Sequence, residues 1–316
     1  MIYTVTLTPA LDKTVSVPFF SVDKVNRIAT MQLDAGGKGI NVSRWVHMLG
    51  GKTMALGILG GGAGRFIEKT LTQDEIETSF IWVDAETRTN IKVIDPENGT
   101  HTDINEPGAP VRAEVLGAVY DTLRKRVREG DIVVFAGKTP PGTPDALLPD
   151  WVEAMNALGA KTIVDMDGPA LSATVARVPY LIKPNQEELE AMLGGALETE
   201  QDAADAACGL LASGISRVVI SRGAKGAIFA MKEQIFAADG LEVQVGSTVG
   251  AGDATVAALA YGEAMGMAFA DIVPLAIAAG AASAMQPGTQ VAEKQLVMEL
   301  AKQVKIREMY HSGRKN

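Results

Sequence analysis

The chain has 316 residues, 47% of them hydrophobic and 5% aromatic, with a net charge of −9. That length gives one large domain or two smaller ones with ample material for a core. The acidic balance counts against a general nucleic-acid binder, and the scarcity of aromatics leaves no stacking platform for single strands. No apolar run reaches the roughly 18 residues of a membrane-spanning helix. A single cysteine, Cys208, excludes an intrachain disulfide framework and a multi-cysteine metal site. It lies in an alanine-rich helical pattern and reads as a small core residue. The first residues read as a strand and not as a secretory leader, so the expected compartment is the cytoplasm. Glycine, at 33 residues, gathers in short clusters that read as ligand-facing loops.

Residues 2–8 form the first predicted strand, ended by Pro9, and Asp12 lies just past it, where open α/β sheets present polar groups to ligands. β-like runs follow at 14–20 and 28–33. Gly36-Gly37-Lys38-Gly39 then opens a helix whose Ile40, Trp45, Val46 and Leu49 share one buried side. This loop offers a cation, Lys38, and a two-way hydrogen-bonding amide, Asn41, a mixture suited to a polyol. A strand at 53–59 and a helix at 65–71 come next. Between them, Gly60-Gly61-Gly62-Ala63-Gly64 approaches the dinucleotide fingerprint and misses it at Arg65. Gly51-Lys52-Thr53 and Gly137-Lys138-Thr139 both lack the upstream glycine of a P-loop. Short β-like runs at 79–83, 90–95 and 100–104 read, with residues 13–33, as a small sheet standing off the main body. Asn98-Gly99 is its hairpin turn. Arg88 is a cation in a turn of this region, either a surface arginine or a phosphate contact.

From residue 111 the pattern alternates regularly. Helices are expected at 111–128, 145–158, 187–193, 201–213, 254–266 and 271–285, and strands at 131–136, 161–165, 180–182, 217–221 and 227–230. The continuous apolar run at 131–136 is that of a parallel strand buried on both faces. The fold class is therefore α/β, a mostly parallel sheet covered by helices on both faces. The basic tail at 305–315 reads as a solvated end.

In such a fold Asp12, the 36–41 and 137–142 loops, Asp165, Asp167, the 183–188 loop and the 223–226 loop share one crevice at strand carboxyl ends. The sharpest signal is Ser247-Thr248-Val249-Gly250-Ala251-Gly252-Asp253-Ala254. Amides of Gly250, Ala251 and Gly252 at a helix N-terminus suit an anion. Asp253 opposes an anion, and makes sense where it takes a proton from a hydroxyl attacking a phosphoryl group. An ordinary glycine turn with a helix-start aspartate gives the same local pattern. Lys38, Arg88, Lys138 and Lys183 are cations for phosphates, while Asp253, Asn185 and Glu188 suit a proton and a metal. Metal-bound ATP and a phosphorylated hydroxyl substrate would use both sets.

Gly36-Gly37-Lys38-Gly39-Ile40-Asn41-Val42-Ser43-Arg44 resembles the first signature of the ribokinase-like carbohydrate kinases, the PfkB family. Thr248-Val249-Gly250-Ala251-Gly252-Asp253 resembles the second, and Asn185-Gln186-Glu187-Glu188 fits the family's Asn-x-x-Glu element. Thr6-Leu7-Thr8-Pro9-Ala10-Leu11-Asp12, Val25-Asn26-Arg27, Thr87-Arg88-Thr89-Asn90 and Gly137-Lys138-Thr139-Pro140-Pro141-Gly142 look like its hexose-phosphate branch. Lys138 departs from that branch, where many members carry serine.

The resemblance implies a single ribokinase-like domain over 1–316, a three-layer α/β/α sandwich with a small β-sheet lid from 13–33 and 84–105. It implies phosphorylation of a hexose phosphate to a bisphosphate with ATP and Mg2+, fructose 1-phosphate ranking ahead of tagatose 6-phosphate and fructose 6-phosphate. Asp253 would be the base, and Gly250, Ala251 and Gly252 the anion hole. Asp12, Gly37 and Asn41 would hold sugar hydroxyls, and Arg88, Lys38 and Lys138 the phosphate already present. Lys183, Ser221, Gly223, Ala224, Lys225, Gly226 and Thr248 would line the ATP site. Asn185 and Glu188 would organise Mg2+ indirectly. Lids of this family often pair between subunits, so a homodimer is expected, with no nucleic-acid or membrane partner. A catalytically silent sugar-phosphate sensor and a dinucleotide oxidoreductase are the alternatives. The intact Gly-Ala-Gly-Asp argues against the first and the missing fingerprint against the second.

Overall fold

The computed structural model describes residues 1–309, so the end of the basic tail, 310–316, lies outside the described residues. The first half runs β1 (Ile2–Thr6), β2 (Ala10–Ser16), β3 (Thr30–Gly36), α1 (Lys38–Leu49), β4 (Thr53–Gly60), α2 (Gly61–Gln73), β5 (Glu77–Val83), β6 (Arg88–Asp95), β7 (Thr100–Asn105), α3 (Ala113–Arg126) and β8 (Ile132–Ala136). Then come α4 (Leu147–Ala157), β9 (Lys161–Asp165), α5 (Gly168–Val175), β10 (Leu181–Ile182), α6 (Gln186–Leu193), α7 (Glu200–Ala212), β11 (Arg217–Ser221), β12 (Ala227–Met231) and β13 (Gln234–Ala238). The described chain closes with α8 (Ala251–Ala264), α9 (Phe269–Ala284), α10 (Lys294–Ala301) and β14 (Ile306–Met309).

The main sheet has the order β14-β13-β12-β11-β10-β9-β8-β1-β4-β5. From β11 to β5 every pairing is parallel, and β12, β13 and β14 extend the edge antiparallel. Strand alternation sorts the core into two. Tyr3, Val5, Val133 and Phe135 face α3 to α7, in a cluster with Leu123, Trp151 and Leu210. Ile2, Ile132 and Val134 face the other way, toward Trp45 of α1 and the buried apolar residues of α8, α9 and α10. Two helical layers enclosing one sheet make the three-layer α/β/α sandwich expected of the sequence.

The second sheet, in the order β3-β2-β6-β7, has four strands. Val15, Val17 and Val93 pack together within it. The Asn98-Gly99 turn joins β6 to β7, and Asp95 accepts backbone N–H bonds from Glu97 and Asn98 there.

Several expectations need correction. The run at 79–83 belongs to the main sheet, where β5 pairs in parallel with β4 from Met54↔Glu77 to Gly60↔Val83. Its nearness in sequence to β6 misled the reading. The helix α5 carries too little periodicity to stand out, and the short elements β13, α10 and β14 lie outside the expected set. α8 and α9 therefore do not close the domain, and residues 306–309 of the tail pair with β13.

The near-fingerprint glycines are occupied by the chain's own carboxylate. The Ala63 amide donates to Glu86 Oε1 at 2.6 Å, which caps the start of α2. Gly61 has φ of +62°, and a Cβ there would collide with that carboxylate. Glu86→Ala should lower stability by roughly 1 kcal/mol, the usual worth of such a cap, seen as a drop of a few degrees in Tm with catalysis retained. An unchanged Tm would show the cap to be idle.

Candidate active site

Polar residues stand at the carboxyl ends of adjacent parallel strands in spatial order. Ser221 ends β11, Lys183 follows β10, Asp165 ends β9, Gly137 and Lys138 follow β8, and Thr6 ends β1. Four inter-strand steps at about 4.8 Å each give this row a length of roughly 19 Å. That accommodates two small ligands end to end. The Gly250–Gly252 loop and the start of α1 flank it.

At the centre lies an ion cluster. Asp165, 2% exposed, is held between Lys183 Nζ at 3.2 Å and Lys38 Nζ at 3.4 Å. Burial raises the carboxyl pKa of Asp165, but the two lysines outweigh it and hold the group below the ordinary range. Burial likewise pulls Lys38 down, and Asp165, Asp253 and Glu188 more than restore it, so its ammonium is held charged.

Asp253 sits behind this pair in the first turn of α8, 6% exposed. Burial, followed by repulsion from Asp165, pushes its carboxyl up to about 7, against the opposing pull of Asn41, Lys38 and Lys183. Asn41 Nδ2 donates to Asp253 Oδ2 at 2.7 Å. Asn41, expected to hold a sugar hydroxyl, is buried beside the carboxylate and spends one amide hydrogen on it. Its Oδ1 is buried without a partner.

α8 begins at Gly250, whose φ of +88° is left-handed and favours glycine. The Ala251 amide reaches only the Thr248 carbonyl, at a long 3.4 Å. Lys183 Nζ would lie 3.5 Å from a Cβ at Gly252, which places the ammonium beside the loop. Lys183, expected in the ATP site, lies between Asp165 and this helix start. Helix amides and a buried ammonium beside a carboxyl that ionises near neutrality suit a transferring phosphoryl group and a proton acceptor.

Toward β1 the crevice opens into a cleft of about 320 Å3 between the main body and the small sheet. Asp12, Lys38, Arg88, Asn90, Lys92 and Lys138 are among the residues lining it. Asp12 Oδ1 accepts from Asn90 Nδ2 at 2.9 Å, and burial raises its pKa. Arg88 Nη1 donates to the Glu106 carbonyl at 2.9 Å, which fixes the guanidinium at the cleft wall. Lys138 is exposed, its Nζ 3.7 Å from Asp167. Gly37 packs against Thr6 and Pro9 at the start of α1. This excess of cations over acids fits an anionic ligand.

Toward β11, Gly223–Lys225 forms a short 3-10 turn closed by Gly226. Arg222, 6% exposed, anchors it through Glu200 at 3.1 Å and Gln186 at 3.3 Å. Asn185 and Glu188 form a capping box at the start of α6: the Asn185 amide donates to Glu188 Oε2 at 2.8 Å and the Glu188 amide to Asn185 Oδ1 at 2.7 Å. Asn185 also bridges to Ser221. Thr248 is exposed on the glycine loop.

Sequence reasoning missed Asn90 and Lys92, and the double pairing of Asp165. The alternation Arg88-x-Asn90-x-Lys92 along one strand was the available signal for the first two. Asp165 stood out as polar at a strand end, but its partners are distant in sequence.

Residues 7–296 match the model of the pfkB family carbohydrate kinases. The 1-phosphofructokinase of Vibrio cholerae is 32% identical over 98% of this chain and 97% of its own. That of Xanthomonas campestris is 38% identical over 81% of this chain and 82% of its own. Phosphofructokinase-2 from Escherichia coli, solved in complex with substrates and products, superposes with a TM-score of 0.92 at 30% identity, covering 96% of this chain and 98% of that one. Fold, ordered motifs and relatives agree, and the chain belongs to the pfkB family of carbohydrate kinases.

Proposed function

We propose that this kinase transfers the γ-phosphoryl group of ATP to the free primary hydroxyl of fructose 1-phosphate, giving fructose 1,6-bisphosphate. The observation that carries the reading is the placement of Asp253, a buried carboxyl ionising near 7 in the first turn of α8, directly after a glycine loop whose Val249 lines the cation-rich cleft. Relatives named 1-phosphofructokinase that cover nearly the whole chain support the choice of sugar.

The sugar lies against the small sheet with its hydroxyls on Asp12 and Gly37. Arg88, with Lys38 and Lys138, binds the phosphate it already carries. Asn41 orients Asp253 through Nδ2 and offers its Oδ1 to a sugar hydroxyl. Asp253 takes the hydroxyl proton as the sugar oxygen bonds to the γ-phosphorus and the bond to the ADP oxygen breaks. Amides of Gly250, Ala251 and Gly252, with Lys183, receive the charge on the transferring group. Ser221, Gly223, Ala224, Lys225, Gly226 and Thr248 line the nucleotide. Mg2+ favours phosphate and water with one or two carboxylates. Glu188 fits that role: its Oε2 is spent on the α6 cap and its other oxygen is left to reach the ion through water, with Asn185 holding the turn. The ion supplies neutralisation of the phosphate charge.

The small sheet acts as the lid over the sugar and excludes water from the transfer. Phe19, Val22, Val25 and Ile28 are exposed in the loop between β2 and β3, with Met31 exposed on β3. Exposed apolar side chains so close together in the chain fit contact with a second copy better than open water.

The direct test is ADP release with MgATP against fructose 1-phosphate, tagatose 6-phosphate and fructose 6-phosphate in parallel. A kcat/KM preference for fructose 1-phosphate of about a hundredfold, ~3 kcal/mol of transition-state discrimination, is expected. A preference for either other sugar would overturn the substrate, and no turnover with any would favour a sensor. Asp253→Asn should lower kcat by on the order of 10^3-fold. Its Tm at pH 8 should equal or exceed that of the native chain. The folded pKa lies above the unfolded one, so ionising Asp253 costs stability as pH rises toward and past 7. Near-native turnover would remove Asp253 as the base. Arg88→Ala should raise KM for the sugar phosphate by roughly ten- to a hundredfold, the worth of a charged hydrogen bond, with KM for ATP little changed. Equal effects on both would contradict its role.

A further inference from the structure

Arg88, Asn90 and Lys92 alternate along β6 and all line the cleft. The first two have partners near the sugar. Lys92 does something different. Its Nζ crosses the cleft and donates to Ser247 Oγ at 3.3 Å. Ser247 is 6% exposed, and its hydroxyl also accepts from the Val249 amide at 3.3 Å. Its own amide is tied to the Ala284 carbonyl at 3.1 Å. Ser247 is thus the fixed root of the loop that runs through Val249, itself a cleft residue, into the Gly250 turn and α8. Lys92 is paired in register with Thr14 of β2, one alternation from the Asp12↔Asn90 pair.

Resting on the phosphoryl-transfer reading above, we infer that Lys92 is a positioning residue that locks the glycine loop to the sugar-bearing sheet through Ser247. The sheet that carries the acceptor and the loop that carries the anion hole are separate bodies of structure, and transfer needs both in one alignment. A link rooted in both makes the loop's alignment depend on the sheet's position. Lys92 acts through Ser247 and not as a ligand of the sugar's own phosphate, which Arg88 serves from the start of the same strand.

The test compares the native enzyme with Lys92→Met, Lys92→Arg, Ser247→Ala and the Lys92→Met/Ser247→Ala pair, using fructose 1-phosphate and MgATP. Lys92→Met should lower kcat at least roughly tenfold while KM for the sugar phosphate stays within about threefold. Lys92→Arg, which keeps a donor, should recover part of the loss. The double variant should be no slower than the slower single one, because one contact is shared. A second readout needs no turnover. Fructose 1-phosphate alone should slow amide hydrogen exchange across 246–250 in the native enzyme, and saturating fructose 1-phosphate should fail to do so in Lys92→Met. A raised KM with kcat unchanged, an unchanged kcat, multiplying effects in the double variant, or equal loop protection in Lys92→Met would each overturn the inference. If the native enzyme uses another of the three sugar phosphates, the variants are read with that one, so the substrate and the positioning role fail separately.

Discussion

Two buried carboxylates, a buried lysine and a half-buried one in one crevice set the terms for the rest of the site. Asp165 takes the larger share of Lys38 and Lys183, since it touches both. A buried carboxylate without such partners would cost several kcal/mol, so the lysines are required by Asp165 before any ligand arrives. Asp253 is then left with a hydrogen bond from Asn41, burial on all sides and a like charge nearby. Its high pKa is the consequence. A proton acceptor poised near neutral pH follows from giving two carboxylates unequal claims on the same two cations. Such an arrangement favours chemistry over stability, as active sites commonly do.

The sheet organises this cluster and its ligands along one line. Each successive parallel strand delivers one polar group at its carboxyl end, from Ser221 on β11 to Thr6 on β1. The order spreads those groups along the crevice. The helix α8 can be buried along most of its length because its inward residues are mainly alanine, valine and glycine, while the loop at its start stays open to the crevice. The small sheet completes the enclosure. β2 and β6 turn polar residues toward the cleft while Val15, Val17 and Val93 hold the strands together. The exposed apolar residues on that sheet lie away from the two main cores.

Much of this was legible in the residues. The glycine loops before Ile40 and Ala254 announce helix starts, and the apolar run at Ile132–Ala136 announces a central parallel strand. Those signals are local, and local physics writes them into the chain. Asp253 and the cations were nameable because glycine loops and strand ends mark where side chains can meet a ligand. The pairings were not legible. Asn41 and Asp253 are 212 residues apart, and Lys92 and Ser247 are 155 apart. No spacing rule reaches across such distances, so the sequence could single out Asn41 without showing that it bonds to Asp253. β5 was misassigned because the β6 run follows it closely, whereas its partner β4 lies on the far side of α2. The glycines at 60–64, which miss the dinucleotide fingerprint at Arg65, take Glu86 as the cap of α2.

The most direct measurement of the account is kcat/KM for the sugar phosphate as a function of pH. Raised by burial and by Asp165, Asp253 should give an acid limb with a slope of one proton that levels above about pH 7. Replacing Asp165 with asparagine removes the like charge and frees both lysines, so in whatever activity remains the limb should move to lower pH. A profile flat from about pH 5 to 9 in the native enzyme, or a limb that stays in place without Asp165, would contradict the claim that this buried ion cluster tunes the base.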